Sequence, residues 1–345
     1  MNGRIERLRA MLEEPLLVTD PTNVYYLTGF SSSNAALLVD TDRVRLFADF
    51  RYASAAQTVA GVEFVETKRD LLGDLAARLS GRIGFESAHV SYAGHEKLRS
   101  RGLGLVPRAG LVESLRAVKD ERELEAVRAA CAITDRVFDR IADESFVGRT
   151  EREVAWTMTE LFHEAGAHDL GFELIVASGP NAAKPHARAG ERTIGRGETV
   201  VIDAGCFVDG YASDYTRTFA TGPLPDELRD AYGVVLQAQQ AALDGIQAGL
   251  TGAAADALAR RVVDGSRFAG LFGHGLGHGL GIEVHEAPRM STESSDTLAA
   301  GNVVTVEPGI YIPERGGIRI EDDVLVTDGG IENLTQLRKD LIDVG

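Results

Sequence analysis

The chain has 345 residues, enough for one large domain or two moderate ones, and its 44% hydrophobic and 26% charged residues are the mix of an ordinary globular protein. With 52 acidic and 36 basic residues the net charge is −16, which argues against nucleic acid or an anionic membrane as a partner. No apolar run reaches membrane-spanning length, and Met1–Glu14 is too charged for a secretory segment; it reads as a short amphipathic helix, with the cytoplasm as the default location.

The first third reads as an α/β unit. Leu16–Thr19, Ala35–Val39, Arg43–Phe47 and Gly61–Val65 are short β-rich runs, and Thr41-Asp42 forms a turn between two of them. Leu71, Leu72, Leu75 and Leu79 have helical spacing, so Asp70–Leu79 is a predicted helix. Arg82–Phe85 is a further strand and Ala93–Arg101 a further helix. A second regime begins near Val112, which sets a boundary at about residue 115 and domains of 1–115 and 116–345. Glu121–Glu144 is a long predicted helix whose Leu124, Val127, Cys131, Thr134, Phe138 and Ile141 make one apolar face. Thr150-Glu151-Arg152-Glu153 matches a capping box and opens the next helix. Strands follow at Phe172–Ala177, Thr199–Gly205 and Tyr211–Ala220, then helices at Asp226–Ala248 and Gly252–Asp264, then strands at Asn302–Ile312 and Ile318–Thr327. Helices followed by an acid-bearing hairpin thus occur twice, which hints at a duplication. Cys131, on a helix stripe, and Cys206, after a strand, read as packed thiols.

The chemistry concentrates in those hairpins. Asp203 ends the apolar run Val200–Ile202, Asp209-Gly210 is a tight-turn pair, and Asp214 lies on the returning strand. Centring the turn on Asp209-Gly210 sets Asp203 opposite Thr216, with Asp214 on the same face. The two carboxylates are then diagonal neighbours about 7–8 Å apart at the backbone, and something cationic belongs between them. The second hairpin carries Glu307 and Glu321, but Pro308, Gly309 and Pro313 imply a bulge or irregular turn, and parity does not put these two acids on one face. Between the hairpins, Gly273, Gly275, Gly277, Gly279 and Gly281 rule out a stable helix and leave His274 and His278 open to ligands. Acids inside apolar strands are costly, by roughly several kcal/mol each, unless a metal or other cation offsets them. Four carboxylates and one imidazole make a hard site suited to Mn²⁺ or Co²⁺ rather than structural zinc.

These segments resemble the pita-bread metallopeptidases, the superfamily of methionine aminopeptidase, aminopeptidase P and prolidase. VIDAGCFVDGYASDYTRTF, HGLGHGLG, VVTVEPGIY and GIRIEDDVLV resemble the segments that carry its five metal ligands. The resemblance implies Asp203, Asp214, His278, Glu307 and Glu321 as ligands here. NVYYLTGFSSSNAALLVD and ADFRYASAAQ resemble the creatinase-type N-terminal domain. The implied fold is α/β (α+β): a small creatinase-type N-terminal α/β domain, then a pita-bread catalytic domain with pseudo-twofold duplicated halves.

The resemblance also implies roles. Asp214 and Glu321 would bridge two divalent ions, Mn²⁺ first and Co²⁺ or Zn²⁺ as alternatives. Asp203 would complete one ion, and His278 with Glu307 the other. Glu307 would carry a proton, His285 would steady the oxyanion, and His186 and His274 would shape the proline side. Arg319 would hold the acids or a substrate carboxylate. A plain loop position for His186 and a plain ion pair of Arg319 with Glu321 are the simpler alternatives. His89, His95, His163 and His168 match no motif and read as surface residues. The expected activity is an Xaa-Pro aminopeptidase acting as a homodimer on peptides with proline second. The alternative is an Xaa-Pro dipeptidase, followed by a methionine aminopeptidase or a non-catalytic peptide-binding module.

Overall fold

The computed structural model describes residues 2–345, which divide into two compact units, one ending at Arg116 and the other running Ala117–Gly345. The first is built on a six-stranded sheet in the order Glu63–Thr67, Val44–Asp49, Ala35–Val39, Leu16–Val18, Arg82–Glu86, Gly104–Arg108. Ala35–Val39 runs antiparallel to both neighbours, and the remaining pairs are parallel. All five of its residues are buried, as a strand covered on both faces requires. Helices Leu71–Arg78 and Tyr92–Arg99 start at Asp70 and Ser91, whose side chains accept from Gly73 and Gly94 N–H. Leu71, Leu75 and Leu98 pack with Leu17, Leu38, Phe47 and Ile83 of the sheet.

In the second unit, the order of two helices followed by antiparallel strands occurs twice. Helix Glu121–Ile141 buries the whole predicted stripe from Leu124 to Ile141. Helix Glu151–Glu164 opens with the Thr150/Glu153 capping box. This half has a sheet of Ile175–Ser178, Thr199–Ala204 and Tyr215–Ala220 and a second, smaller one of Asp169–Leu170, Cys206–Val208 and Tyr211–Ala212. The other half has helices Asp226–Gly245 and Gly252–Asp264 and a five-stranded sheet in the order Glu286–Met290, Gly277–Gly279, Val303–Val306, Asp322–Thr327, Gly330–Asn333. Its core joins Val235, Ala238, Ala259 and Val263 of the helices to Val304, Val306 and Val324 of the sheet.

Three of the four acids, Asp214, Glu307 and Glu321, stand at breaks in the strands, and Asp203 stands one residue from a strand end. Asp209 and Gly210 have φ of 49° and 82°, the two left-handed residues of the expected tight turn. Thr216 faces Asp203 as the turn position requires. The expected single strand Tyr211–Ala220 is two, Tyr211–Ala212 and Tyr215–Ala220, with Asp214 in the gap. Similarly, Asn302–Ile312 divides at Glu307-Pro308 and Ile318–Thr327 at Ile320-Glu321. Pro308 has no N–H to give a ladder. Of the expected bulge or irregular turn, the hairpin has the turn, with Glu314 at φ 61°, and no bulge: Val306 faces Asp322 and Gly309 faces Arg319, one register that sets Glu307 opposite Glu321.

Candidate metal centre

At a ladder break a side chain is freed from the pleat and can turn toward the space between strands. Four acids use such breaks or strand ends. Asp203 lies near the end of Thr199–Ala204, Asp214 precedes Tyr215–Ala220, and Glu307 and Glu321 lie between short strands. His278 is the middle residue of Gly277–Gly279. Ligand atoms of Asp214, His278 and Glu321 all fall within 4.8 Å of one another. His278 Nε2 is 3.7 Å from Asp214 Oδ2 and 3.4 Å from Glu307 Oε1.

The hydrogen bonds define what these groups offer. His278 Nδ1 lies 3.1 Å from the Gly279 carbonyl, so Nδ1–H donates there and Nε2 keeps a lone pair. Burial, with His285 beside it, lowers the His278 pKa to about 4, which leaves the ring neutral near pH 7. Nε2 therefore presents a lone pair to two carboxylates. Thr305 Oγ1 accepts from His278 N–H and donates to Glu307 Oε1. Thr216 Oγ1 donates to Glu321 Oε2 at 2.6 Å. The Asp214 backbone N–H donates to Asp323 Oδ2 at 3.0 Å.

Burial raises the pKa of all four acids, carrying Glu307 to about 8. Asp214 and Glu321 are pushed up further by the other acids of the cluster. Arg319 Nη2 pairs with Asp203 Oδ2, while Asp203 Oδ1 is buried without a hydrogen-bond partner. Lone pairs converging on one point, an orphaned buried carboxylate oxygen and mutually repelling acids fit a site for divalent cations.

The substrate-side residues are distributed around this cluster. Arg319 does not pair with Glu321 in the manner of a plain strand ion pair. Its Nε donates to Thr216 Oγ1, its Nη1 to Tyr311 Oη and the Pro185 carbonyl, and its Nη2 to Asp203. Tyr311 Oη in turn lies 2.9 Å from His274 Nε2, and His274 Nδ1 is 3.9 Å from Glu307 Oε2. Burial lowers the His274 pKa to about 4. The His285 ring lies 4.3 Å from that of His278, while Glu286 pairs with Lys119. His186 is exposed on the loop after Ile175–Ser178, within electrostatic reach of Asp203, His274 and His285. Thr216, Thr305, Tyr311 and Asp323 join the site as supporting groups. Thr216 was visible in the sequence as the residue facing Asp203, and Tyr311 stands in the quoted EPGIY; nothing local marks Thr305 or Asp323.

A two-unit α/β chain with buried acids clustered on paired hairpins is the architecture of a metallohydrolase. Residues 125–328 match the metallopeptidase family M24 and residues 4–118 the creatinase/prolidase N-terminal domain, and the chain belongs to the M24 metallopeptidase family. Family membership brings with it divalent metal ions and peptide substrates. Among its relatives, the peptidase YqhT of Bacillus subtilis (strain 168) is 38% identical, with 98% of this chain and 99% of the relative covered. The Xaa-Pro dipeptidase of Pyrococcus furiosus is 34% identical over 99% of this chain and 100% of its own. The structure of an Xaa-Pro dipeptidase from Bacillus anthracis superposes with a TM-score of 0.95 at 36% identity, covering 99% of each chain.

Proposed function

We propose that this protein is an Xaa-Pro dipeptidase that hydrolyses the bond between a first residue and a following proline, using two divalent cations. Mn²⁺ is the first candidate, with Co²⁺ and Zn²⁺ as alternatives. The observation that carries the metal reading is the lone pair of His278 Nε2 aimed at the carboxylates of Asp214 and Glu307. Of the two Xaa-Pro activities, the names of the related proteins favour the dipeptidase over the aminopeptidase to which the sequence leans.

In this reading residues 1–115 are the creatinase-type domain and 116–345 the catalytic one. Asp214 and Glu321 would hold both ions, Asp203 one of them, and His278 with Glu307 the other. The ions, when bound, supply Lewis-acid activation of water and of the scissile carbonyl. Glu307 would carry the proton from the attacking water to the leaving nitrogen. An imidazole N–H of His285 donates to the carbonyl oxygen as negative charge develops. Arg319 fixes Asp203 and, through Tyr311, His274, which with His186 shapes the side that receives proline. The protein works as a homodimer in the cytoplasm. No helix among the described residues is long and apolar enough to cross a membrane.

The test is turnover of an Xaa-Pro dipeptide against an Xaa-Pro-Yaa tripeptide with Mn²⁺. Preference for the dipeptide is expected. Preference for the tripeptide would restore the aminopeptidase, and failure on both would remove the Xaa-Pro reading.

A further inference from the structure

One buried carboxylate away from the acid cluster has no part in the chemistry above. Glu151 is the first residue of helix Glu151–Glu164, and its side chain is fully buried. Its Oε1 accepts from Ser178 N–H and Ser178 Oγ, both at 2.8 Å, and from Asn181 Nδ2 at 3.2 Å. Its Oε2 accepts from Asn181 Nδ2 at 3.2 Å and from Gly190 N–H at 3.3 Å. Ser178 and Gly190 are the two ends of the segment that carries His186. The guanidinium of Arg192 braces the same end, donating to Ser178 Oγ and to Glu198.

A single carboxylate thus fastens both feet of the loop. Backbone and side-chain donors from both feet converge on its two oxygens, a stiff attachment for a segment whose one helical piece is the short turn Gly179–Ala183. Farther along, Arg319 donates to the Pro185 carbonyl while pairing with Asp203. The residue between these two anchors that can face a substrate is His186, which is exposed.

We propose that Glu151 is a positioning residue: by clasping Ser178, Asn181 and Gly190 it holds the His186 loop in register with the acid cluster. The kinetic side of this proposal rests on the Xaa-Pro peptidase reading; the mechanical side does not. The hydrogen-bond partners of Glu151 are Ser178, Asn181 and Gly190 and none of the five proposed ligands, so its effect passes through the loop.

Two variants test it. Glu151→Gln keeps an acceptor for Ser178 but turns an amide N–H toward Gly190 N–H or Asn181. Asn181→Ala removes donors to both oxygens and leaves the buried carboxylate in place. Each is made alone and with His186→Ala, and each is assayed on an Xaa-Pro dipeptide with Mn²⁺ and digested with trypsin without substrate. Arg188, exposed and followed by Ala189, is the reporter bond, whereas Lys184 precedes a proline. Glu151→Gln should lower kcat/KM about tenfold, a loss in keeping with a small misplacement of a substrate-contacting group. It should speed cleavage after Arg188 by a similar factor, with Mn²⁺ stoichiometry and helix content unchanged. Asn181→Ala should move both readouts in the same direction by less, and it decides the matter if Glu151→Gln fails to fold. In the His186→Ala background the kinetic loss should shrink to less than about twofold, the signature of residues acting as one unit. Cleavage at Arg188 as slow as in the wild type, or a full additive kinetic loss, would overturn the proposal. A wild type inactive on every Xaa-Pro peptide would instead remove the peptidase reading, and the tryptic comparison would still judge Glu151.

Discussion

At the scale of single residues, the centre is an array of acceptors whose donors are few and assigned. Thr216 Oγ1 is spent on Glu321, Thr305 Oγ1 on Glu307, and the Asp214 N–H on Asp323. What remains open is carboxylate oxygen and the Nε2 lone pair, so the effect of charge is separable from that of shape. Asp214→Asn keeps the shape and removes the charge. Metal content and turnover should fall together while the fold persists, measured by metal analysis beside circular dichroism; full occupancy with near-normal turnover would show that Asp214 is not a ligand. His285 behaves differently. Its ring lies against His278, and Glu286, the obvious local partner, is occupied by Lys119. His285→Ala should keep its metal and lose roughly 10²–10³ in turnover, the cost of one oxyanion donor in other hydrolases. A change in melting temperature with normal turnover of the folded fraction would reduce His285 to a packing residue.

At the scale of elements, the strands work because they stop. Gly277 shows how tightly His278 is held: a Cβ there would lie 2.1 Å from the carbonyl oxygen of Thr305, which belongs to the neighbouring strand's backbone and cannot swing aside. Gly277→Ala should push that strand away, destabilise the unit by about 1–3 kcal/mol and weaken metal binding. Urea unfolding and metal titration would check it, and unchanged values would mean that the strands separate freely. The same elements show what a sequence can carry. The stripe of Glu121–Ile141, the Thr150 capping box and the pairing of Asp203 with Thr216 were all legible, because each follows from local spacing or one turn. Helix Pro21–Thr28 was missed, although Asp20 before Pro21 is a cap followed by a first-turn proline. The facing of Glu307 and Glu321 was not legible, because Pro308, Gly309 and Pro313 fit a bulge or an irregular turn equally, and only the second keeps the register. The hairpin's turn is made near Glu314 at φ 61°, and the ladder is interrupted at the acids without a change of register. The joining of the two hairpins, as in Arg319 with Asp203 and Thr216, depends on tertiary contacts that no local pattern encodes.

At the scale of the whole molecule, four acids and one guanidinium share a buried site, so stability, protonation and metal content must be linked. In the metal-free protein Glu307 keeps its proton to about pH 8, whereas in the unfolded chain it ionises near 4.5. Between those values the folded state binds more protons than the unfolded one, and stability falls as pH rises. Asp214 and Glu321, also raised, act with the same sign. His274 and His278 act with the opposite sign. Each is lowered from 6.5 to about 4, so below pH 6.5 the unfolded chain takes up protons first and stability falls toward acid. Above 6.5 the histidine contribution fades and the acids outweigh it. Chelated protein should therefore melt at a lower temperature at pH 8 than at pH 6.5. If the acids are its ligands, added Mn²⁺ should displace their protons, raise the melting temperature more at pH 8 than at pH 6.5 and release protons as it binds. At a free metal concentration a hundredfold above Kd the stabilisation is about 2.7 kcal/mol, large enough to read by calorimetry. Chelation should abolish hydrolysis and Mn²⁺ or Co²⁺ restore it. A metal response independent of pH, or activity surviving exhaustive chelation, would mean that these carboxylates do not hold the ions on which the reaction depends.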